Sequence, residues 1–149
     1  MIRATMLIGI FVAVEVARRV MAARVGGSRL TVFVVALAII WTGMALRFWA
    51  FRTLGHYFTF TVQTSAQQEV ITDGPYRVIR HPSYAGGALI LAGIGLALGN
   101  WLSLAANLFI PLIGMVNRIE VEERALHATL GDKYASYASG RKRLVPYVW

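Results

Sequence analysis

Long apolar segments alternate with polar stretches along the 149-residue chain. Four segments are apolar enough to enter a bilayer: Thr5 to Ala22, Leu30 to Ala50, Pro82 to Gly99 and Trp101 to Asn117. A helix needs about 20 residues to cross a bilayer, so the last two segments are barely long enough. Only Gly99 and Asn100 separate them, which predicts a tight antiparallel helical hairpin. The pattern therefore predicts an all-α integral membrane protein with about four transmembrane helices.

The first segment is the least regular, because Glu15, Arg18 and Arg19 interrupt it. Arg3 followed by an apolar run is also typical of a signal peptide, but no small-x-small cleavage site follows promptly. A true span is the favoured interpretation. A kinked or interfacial helix and a cleaved signal peptide are the alternatives.

Basic residues are distributed unequally about the four segments. With a cytoplasmic N-terminus and four crossings, eleven Arg and Lys residues lie inside, and four lie outside: Arg18, Arg19, Arg24 and Arg29. The side richer in Lys and Arg is usually cytoplasmic. Both termini are therefore predicted to be cytoplasmic, in the cell inner membrane, although the arginines from Arg24 to Arg29 oppose this orientation.

Composition supports a membrane protein and excludes several kinds of chemistry. The chain is 57% hydrophobic and 15% charged, whereas soluble domains are about 45–50% apolar and about 25% charged. There is no Cys, which excludes disulfides, thiolate metal sites and Cys nucleophiles. The net charge of +8 suits an anionic lipid surface at least as well as nucleic acid. Nucleic acid is not expected as a partner. His56, His81 and His127 are too scattered in the sequence to suggest a metal site, so no metal is expected either.

Two polar stretches lie between and after the apolar segments. Residues Phe51 to Arg80 are aromatic and β-prone, with an Asp73-Gly74-Pro75 turn signal, and predict a structured cytoplasmic loop with a short two-stranded ribbon. The stretch from Arg118 to Gly140 is helical in pattern and predicts a cytoplasmic C-terminal helix, broken near Gly131.

That helical stretch carries an apolar stripe formed by Ile119, Leu126, Leu130, Tyr134 and Tyr137. Glu122 lies on the stripe, three residues after Ile119 and four before Leu126. A carboxylate in that position requires a partner, and Arg118 is four residues earlier, within reach on a helix. A solvated charged helix, the alternative, explains Glu122 poorly.

The richest chemistry lies in the run from Gly74 to Gly86. It places two arginines, a histidine and two tyrosines directly before the third apolar segment. Pro82 is suited to a first helical turn, where its missing N–H costs nothing. The free amides of that turn, with the helix dipole, suit an anionic group such as a carboxylate. Gly86 lets a ligand or another helix come close. The alternative is that the arginines only reach lipid phosphates.

This run resembles the isoprenylcysteine carboxyl methyltransferase family. The resemblance rests on Arg80-His81-Pro82-x-Tyr84-x-Gly86, on the later Glu122-Glu123 pair, and on Gly131-x-x-Tyr134-x-x-Tyr137 followed by Arg143-Leu144-Val145-Pro146. It covers residues 46–146, and we interpret residues 1–149 as a single domain in which residues 1–45 supply N-terminal helices. Eukaryotic family members have more transmembrane segments, so a homodimer is one way to supply the missing walls of a lipid groove.

The resemblance implies S-adenosylmethionine as methyl donor and S-adenosylhomocysteine as product. It implies a site on the cytoplasmic side, between the last two membrane helices and the C-terminal region. The positions that match cofactor contacts are Tyr76, His81, Pro82, Tyr84, Gly86 and Glu123. The positions that match the surroundings of the reacting groups are Arg80, Arg118 and Glu122. Of the two glutamates, the helical stripe favours Glu122 as the one that faces the site.

The resemblance also implies a lipophilic methyl acceptor, above all the carboxylate of a prenylcysteine-like lipid. Fatty or polyketide acids, phospholipid amines and small hydrophobic alcohols stay open as acceptors. A second enzyme class, the NADPH-dependent sterol reductases, has a similar C-terminal region, but this chain has Ser83 before Tyr84 where those enzymes have Asn. A non-catalytic membrane scaffold is the third interpretation.

Overall fold

The computed structural model describes residues 2–55 and 70–149. Across these two ranges the chain forms helices α1 (Ile2–Arg19), α2 (Arg29–Leu54), α3 (Pro82–Ala97), α4 (Trp101–Leu130) and α5 (Asp132–Ser139). Short 3-10 turns at Met21–Ala23 and Gly74–Arg77 precede α2 and α3. The predicted ribbon falls on residues 57–62 and 69–72, most of which lie outside the described ranges.

The four long helices pack as a row in which α2 contacts α3, α3 contacts α4, and α4 contacts α1. The predicted hairpin between α3 and α4 is confirmed. Gly99 turns the chain at φ 67°, and the Asn100 side chain caps α4 by accepting hydrogen bonds from the amides of Leu102 and Ser103. With 30 residues against 16, α4 extends past the first residue of α3 by about 20 Å.

Glycines bring the helix backbones close together. A Cβ on Gly43 of α2 would lie 2.6 Å from the carbonyl oxygen of Gly86 on α3. A Cβ on Gly95 of α3 would lie 2.7 Å from the Cα of Leu104 on α4. Small residues at helix crossings are typical of membrane bundles, where close backbone packing has to replace the hydrophobic drive available in water.

Buried polar side chains of α4 connect it to both of its neighbours. The Ser103 hydroxyl donates to the carbonyl oxygen of Ala13 in α1 at 2.7 Å. The Asn107 amide donates to the carbonyl oxygen of Leu91 in α3 at 2.6 Å. Both side chains are fully buried, so these hydrogen bonds fix the positions of α1 and α3 on α4.

The bundle presents apolar side chains to its surroundings. Helices α2 and α4 are both long and apolar enough to cross a membrane. In the most apolar 18-residue stretch of each helix, only 11% of the α2 residues and 33% of the α4 residues are buried. A core helix of a soluble protein would be mostly buried. Within residues 2–55 and 70–149 the fold is helical, as predicted, with apolar helices that are exposed as in a membrane protein. How many helices cross stays a prediction, since α3 is a shorter apolar helix.

Two apolar segments end before the helices that contain them. The fourth apolar segment and the polar helical stretch after it are one continuous helix, α4, which ends at Gly131 with φ 52°. The predicted break near Gly131 is thus confirmed. Likewise α2 continues past Ala50 to Leu54 and ends at Gly55, because no helix breaker precedes that glycine.

Candidate functional site

The loop before α3 and the second half of α4 meet at one end of the bundle. Pro82 begins α3, as predicted, with His81 as its N-cap residue. The amides of Arg80 and His81 donate to the carbonyl oxygens of Lys142 and Arg143, at 2.8 and 2.9 Å. The C-terminal tail therefore runs alongside the loop and fixes the backbone from which two site residues project.

Glu123 is the centre of a buried charged cluster. Its Oε1 lies 2.8 Å from Arg80 Nη1 and 3.1 Å from His81 Nε2, and its Oε2 accepts a hydrogen bond from Arg143 Nε at 2.9 Å. The residue is only 5% exposed. A buried carboxylate is tolerated when cations and hydrogen bonds compensate it, and this cluster provides both.

Glu122 contacts the same motif from the next position on the helix. The Tyr84 hydroxyl donates to Glu122 Oε2 at 3.0 Å, and the Arg118 side chain interacts with that hydroxyl. Tyr84 also packs edge-on against His81, with ring centroids 5.8 Å apart. The two glutamates therefore contact opposite ends of one cluster on the first turn of α3.

Both glutamates contact the motif, and Glu123 is the more deeply buried of the two; that Glu122 is the one that faces the site stays a prediction. Met115, Ile119 and Glu123 follow one another at intervals of four residues, and all three are buried. Since α4 is continuous, this buried row sets the helical phase and carries Glu123 inward. Glu122 is half-buried at its edge.

Helix α5 adds tyrosines to the wall of the site. The Tyr137 hydroxyl donates to the carbonyl oxygen of Tyr76 at 2.9 Å, and burial raises the pKa of Tyr137 to about 12. Burial also raises the pKa of Tyr134. The Tyr134 hydroxyl interacts with the buried Arg80 side chain. Helix α5 thus closes the site on the side of Arg80.

The structure brings together six of the nine predicted site residues: Arg80, His81, Tyr84, Arg118, Glu122 and Glu123. Pro82 forms the helix start beside them. Tyr76 offers its carbonyl oxygen to Tyr137. Gly86 packs against α2, so its lack of a side chain serves a helix crossing here.

Sequence reasoning missed Arg143 as a site residue. It lies in a basic run, Arg141-Lys142-Arg143, where no local pattern distinguishes the arginine that turns inward. Arg80 and Arg118 already balance the two glutamates, so charge balance does not indicate Arg143 either.

Comparisons with known proteins find methyltransferases. A family model described as phospholipid methyltransferase matches residues 31–133. Protein-S-isoprenylcysteine O-methyltransferase B of Arabidopsis thaliana is 32% identical over 114 residues, which are 75% of this chain and 58% of that protein. The Schizosaccharomyces pombe protein-S-isoprenylcysteine O-methyltransferase is 32% identical over 104 residues, 68% of this chain and 44% of that protein.

A solved structure shows the same fold. The eukaryotic intramembrane Ras methyltransferase, an isoprenylcysteine carboxyl methyltransferase, superimposes with a TM-score of 0.72 at 23% identity, over 99% of this chain and 51% of that chain. The predicted resemblance is thereby confirmed. The chain spans about half the length of the curated relatives it matches.

Proposed function

The chain belongs to the phospholipid methyltransferase family, and we propose that it transfers a methyl group from S-adenosylmethionine to a lipophilic acceptor at the cytoplasmic face of the inner membrane. The curated relatives are protein-S-isoprenylcysteine O-methyltransferases. We therefore propose the carboxylate of a prenylated cysteine, or of a similar lipid acid, as the acceptor.

The observation that carries this proposal is the single cluster formed by the start of α3 and the acidic pair of α4. It lies at one end of a bundle whose outer surface is apolar. A lipid-borne substrate can reach such a site from the bilayer and a water-soluble cofactor can reach it from solution. Bringing two reactants from different phases into one geometry is a large part of what such a catalyst must do.

The donor atoms of the cluster fit the proposed cofactor. Its carboxylate, amine and ribose hydroxyls need both cationic donors and anionic acceptors, and the cluster supplies arginines and glutamates. The residues proposed to hold it are Tyr76, His81, Pro82, Tyr84, Gly86 and Glu123. When bound, S-adenosylmethionine supplies an electrophilic methyl group.

The charges of the cluster favour an anionic acceptor. Arg80, Arg118 and Arg143 outnumber Glu122 and Glu123 by one positive charge. A carboxylate acceptor is already ionised at neutral pH, so no residue has to remove a proton. The proposed role of Arg80 and Arg118 is then to hold and orient the acceptor carboxylate through paired N–H donors.

A phospholipid amine is the second candidate acceptor, favoured by the description of the family model. An amine would require a proton acceptor. Three donors already hold the Glu123 carboxylate, so Glu122 is the better-placed base for that reaction.

The test is methyl transfer by the purified full chain in lipid nanodiscs, with donor labelled on its methyl group. The acceptors are S-farnesyl-N-acetylcysteine, its carboxamide and phosphatidylethanolamine. We expect label on the free acid, released by mild base as a methyl ester releases methanol, and none on the carboxamide. Base-stable label on phosphatidylethanolamine would establish the amine reaction instead, and label on no acceptor would contradict the proposal.

Matched arginine variants of α4 test the site. Arg118 interacts with Tyr84, whereas Arg124 is exposed and contacts the backbone of Glu120. We expect Arg118→Gln to lower turnover on the order of a hundredfold, as loss of a positioned donor does. Arg124→Gln, with the same charge change on the same helix, should leave turnover within about twofold of the wild type. Equal effects would remove Arg118 from the site.

A further inference from the structure

A cavity lies at the opposite end of the bundle from the candidate site. It is enclosed by the connection between α1 and α2 and by the turn between α3 and α4, and its volume is about 370 Å³. Its walls include Arg24, Val25, Gly27, Arg29, Leu98 and Asn100. The volume falls in the range of about 300–1,000 Å³ that small ligands occupy.

The floor of this cavity is held in place by hydrogen bonds. The Asn100 side chain is 1% exposed and donates to the carbonyl oxygen of Val20 at 2.7 Å. The amide of Val25 donates to the carbonyl oxygen of Gly99 at 2.9 Å. Because these bonds tie the α1–α2 connection to the α3–α4 turn, the cavity is already formed before any ligand binds.

Four arginines gather at this end of the bundle, and they divide into two pairs. Arg18 and Arg19 form ion pairs with Glu15, at 3.3 and 2.8 Å. Arg24 and Arg29 line the cavity and form no ion pair with any carboxylate in residues 2–55 or 70–149. Among the described residues, therefore, no carboxylate forms an ion pair with either of these two cavity arginines.

We propose that this cavity binds the phosphate group of an anionic lipid headgroup, with Arg24 and Arg29 as its ligands, in the leaflet opposite the candidate site. Guanidinium groups match phosphate oxygens in charge and in geometry. Leu30 and Phe33 of α2 are exposed next to Arg29 and offer apolar surface to acyl chains. Lys and Arg are usually fewer on the non-cytoplasmic side of a membrane protein. A bound anion would explain why Arg24 and Arg29 lie on that side.

The test is native mass spectrometry of the purified full chain in a neutral detergent, titrated with phosphatidylglycerol, phosphatidylcholine or inorganic phosphate. We expect one phosphatidylglycerol to bind per chain, more tightly than phosphatidylcholine. The double variant Arg24→Gln/Arg29→Gln should weaken that binding roughly tenfold or more, since each arginine contributes several-fold near an anionic headgroup.

The control is Arg18→Gln/Arg19→Gln, which changes the charge equally at the same end of the bundle, and binding to it should stay within about twofold of the wild type. Exposed ion pairs contribute little to stability, so the control should fold normally, and thermal unfolding of both double variants checks this. Equal weakening in both, or no weakening in the first, would overturn the proposal. If inorganic phosphate binds as tightly as phosphatidylglycerol, the phosphate assignment stands and the lipid assignment falls.

Discussion

Replacing Glu123 by glutamine is the sharpest test of the charged cluster. Glutamine keeps the length and shape of the side chain but removes its negative charge. Arg80 and Arg143, which lie 2.8 and 2.9 Å from the carboxylate oxygens, would then stand together without their common counter-charge. His81 would lose a charged partner as well.

The expected cost follows from how deeply each partner is buried. Removing one partner of a buried ion pair costs about 3–5 kcal/mol. The side chains of Glu123 and Arg80 are 6% and 14% exposed, whereas that of Arg143 is 30% exposed, so water screens the second contact more. The glutamine oxygen recovers about 1 kcal/mol through a hydrogen bond. We therefore expect Glu123→Gln to lower the free energy of unfolding by about 2–4 kcal/mol.

Reversible unfolding in mixed micelles measures this difference. Glu120→Gln is the matched control, because Glu120 is exposed on the same helix, and it should change stability by less than about 0.5 kcal/mol. A double-mutant cycle with Arg80→Gln should give a coupling of about 1–3 kcal/mol. Additive effects of the two substitutions, or equal losses in Glu123→Gln and Glu120→Gln, would refute the buried cluster.

Three further predictions concern the helix packing, the tyrosine wall and the site. Gly43→Ala should destabilise the bundle by about 1–3 kcal/mol, because the added Cβ would lie 2.6 Å from a carbonyl oxygen of α3. Thermal unfolding measures this loss, and Gly26→Ala is the control, because a Cβ added at Gly26 would extend into open space. The pKa of Tyr137 is raised to about 12 in the folded chain, from about 10 in the unfolded chain. The neutral Tyr137 side chain therefore stabilises the fold fully below pH 10, and this stabilisation is progressively lost as the pH rises towards 12. The unfolding temperature should fall between pH 10 and pH 12, less so in Tyr137→Phe, and an equal fall in both would exclude this tyrosine as a cause. Arg80→Lys should fold but lose turnover on the order of a hundredfold with labelled donor, because an ammonium does not reproduce a paired guanidinium contact; full activity would remove Arg80 from acceptor binding.

Local chemistry made much of the fold predictable. Pro82 marks the start of α3 because proline suits a first helical turn. Gly99-Asn100 marks the hairpin because glycine takes the positive φ of the turn and asparagine caps the next helix. Gly131 marks the end of α4 for the same conformational reason. The family resemblance predicted that the Arg80 to Gly86 motif and the Glu122-Glu123 pair lie close together. The α3–α4 hairpin explains why they do, because it places the second half of α4 beside the start of α3.

What the sequence did not predict depends on contacts between distant elements. The buried position of Glu123 depends on the contacts of α4 with the loop before α3 and with the C-terminal tail. The inward turn of Arg143 depends on backbone hydrogen bonds between the tail and residues 80–81. Asn107 is also buried inside an apolar segment, and its carbonyl partner belongs to another helix, so no local pattern indicates it.

Ligand-induced stabilisation tests the central claim, that the cluster at the start of α3 and the acidic pair of α4 form one methyl-donor site. The measurement is thermal unfolding of the full chain titrated with S-adenosylhomocysteine or with NADPH. A ligand at a hundred times its dissociation constant stabilises by about 2.7 kcal/mol. We predict that S-adenosylhomocysteine raises the unfolding temperature of the wild type, that it does so far less in the Glu123→Gln variant, and that NADPH has no effect. Stabilisation by NADPH, or by neither compound, would contradict the account.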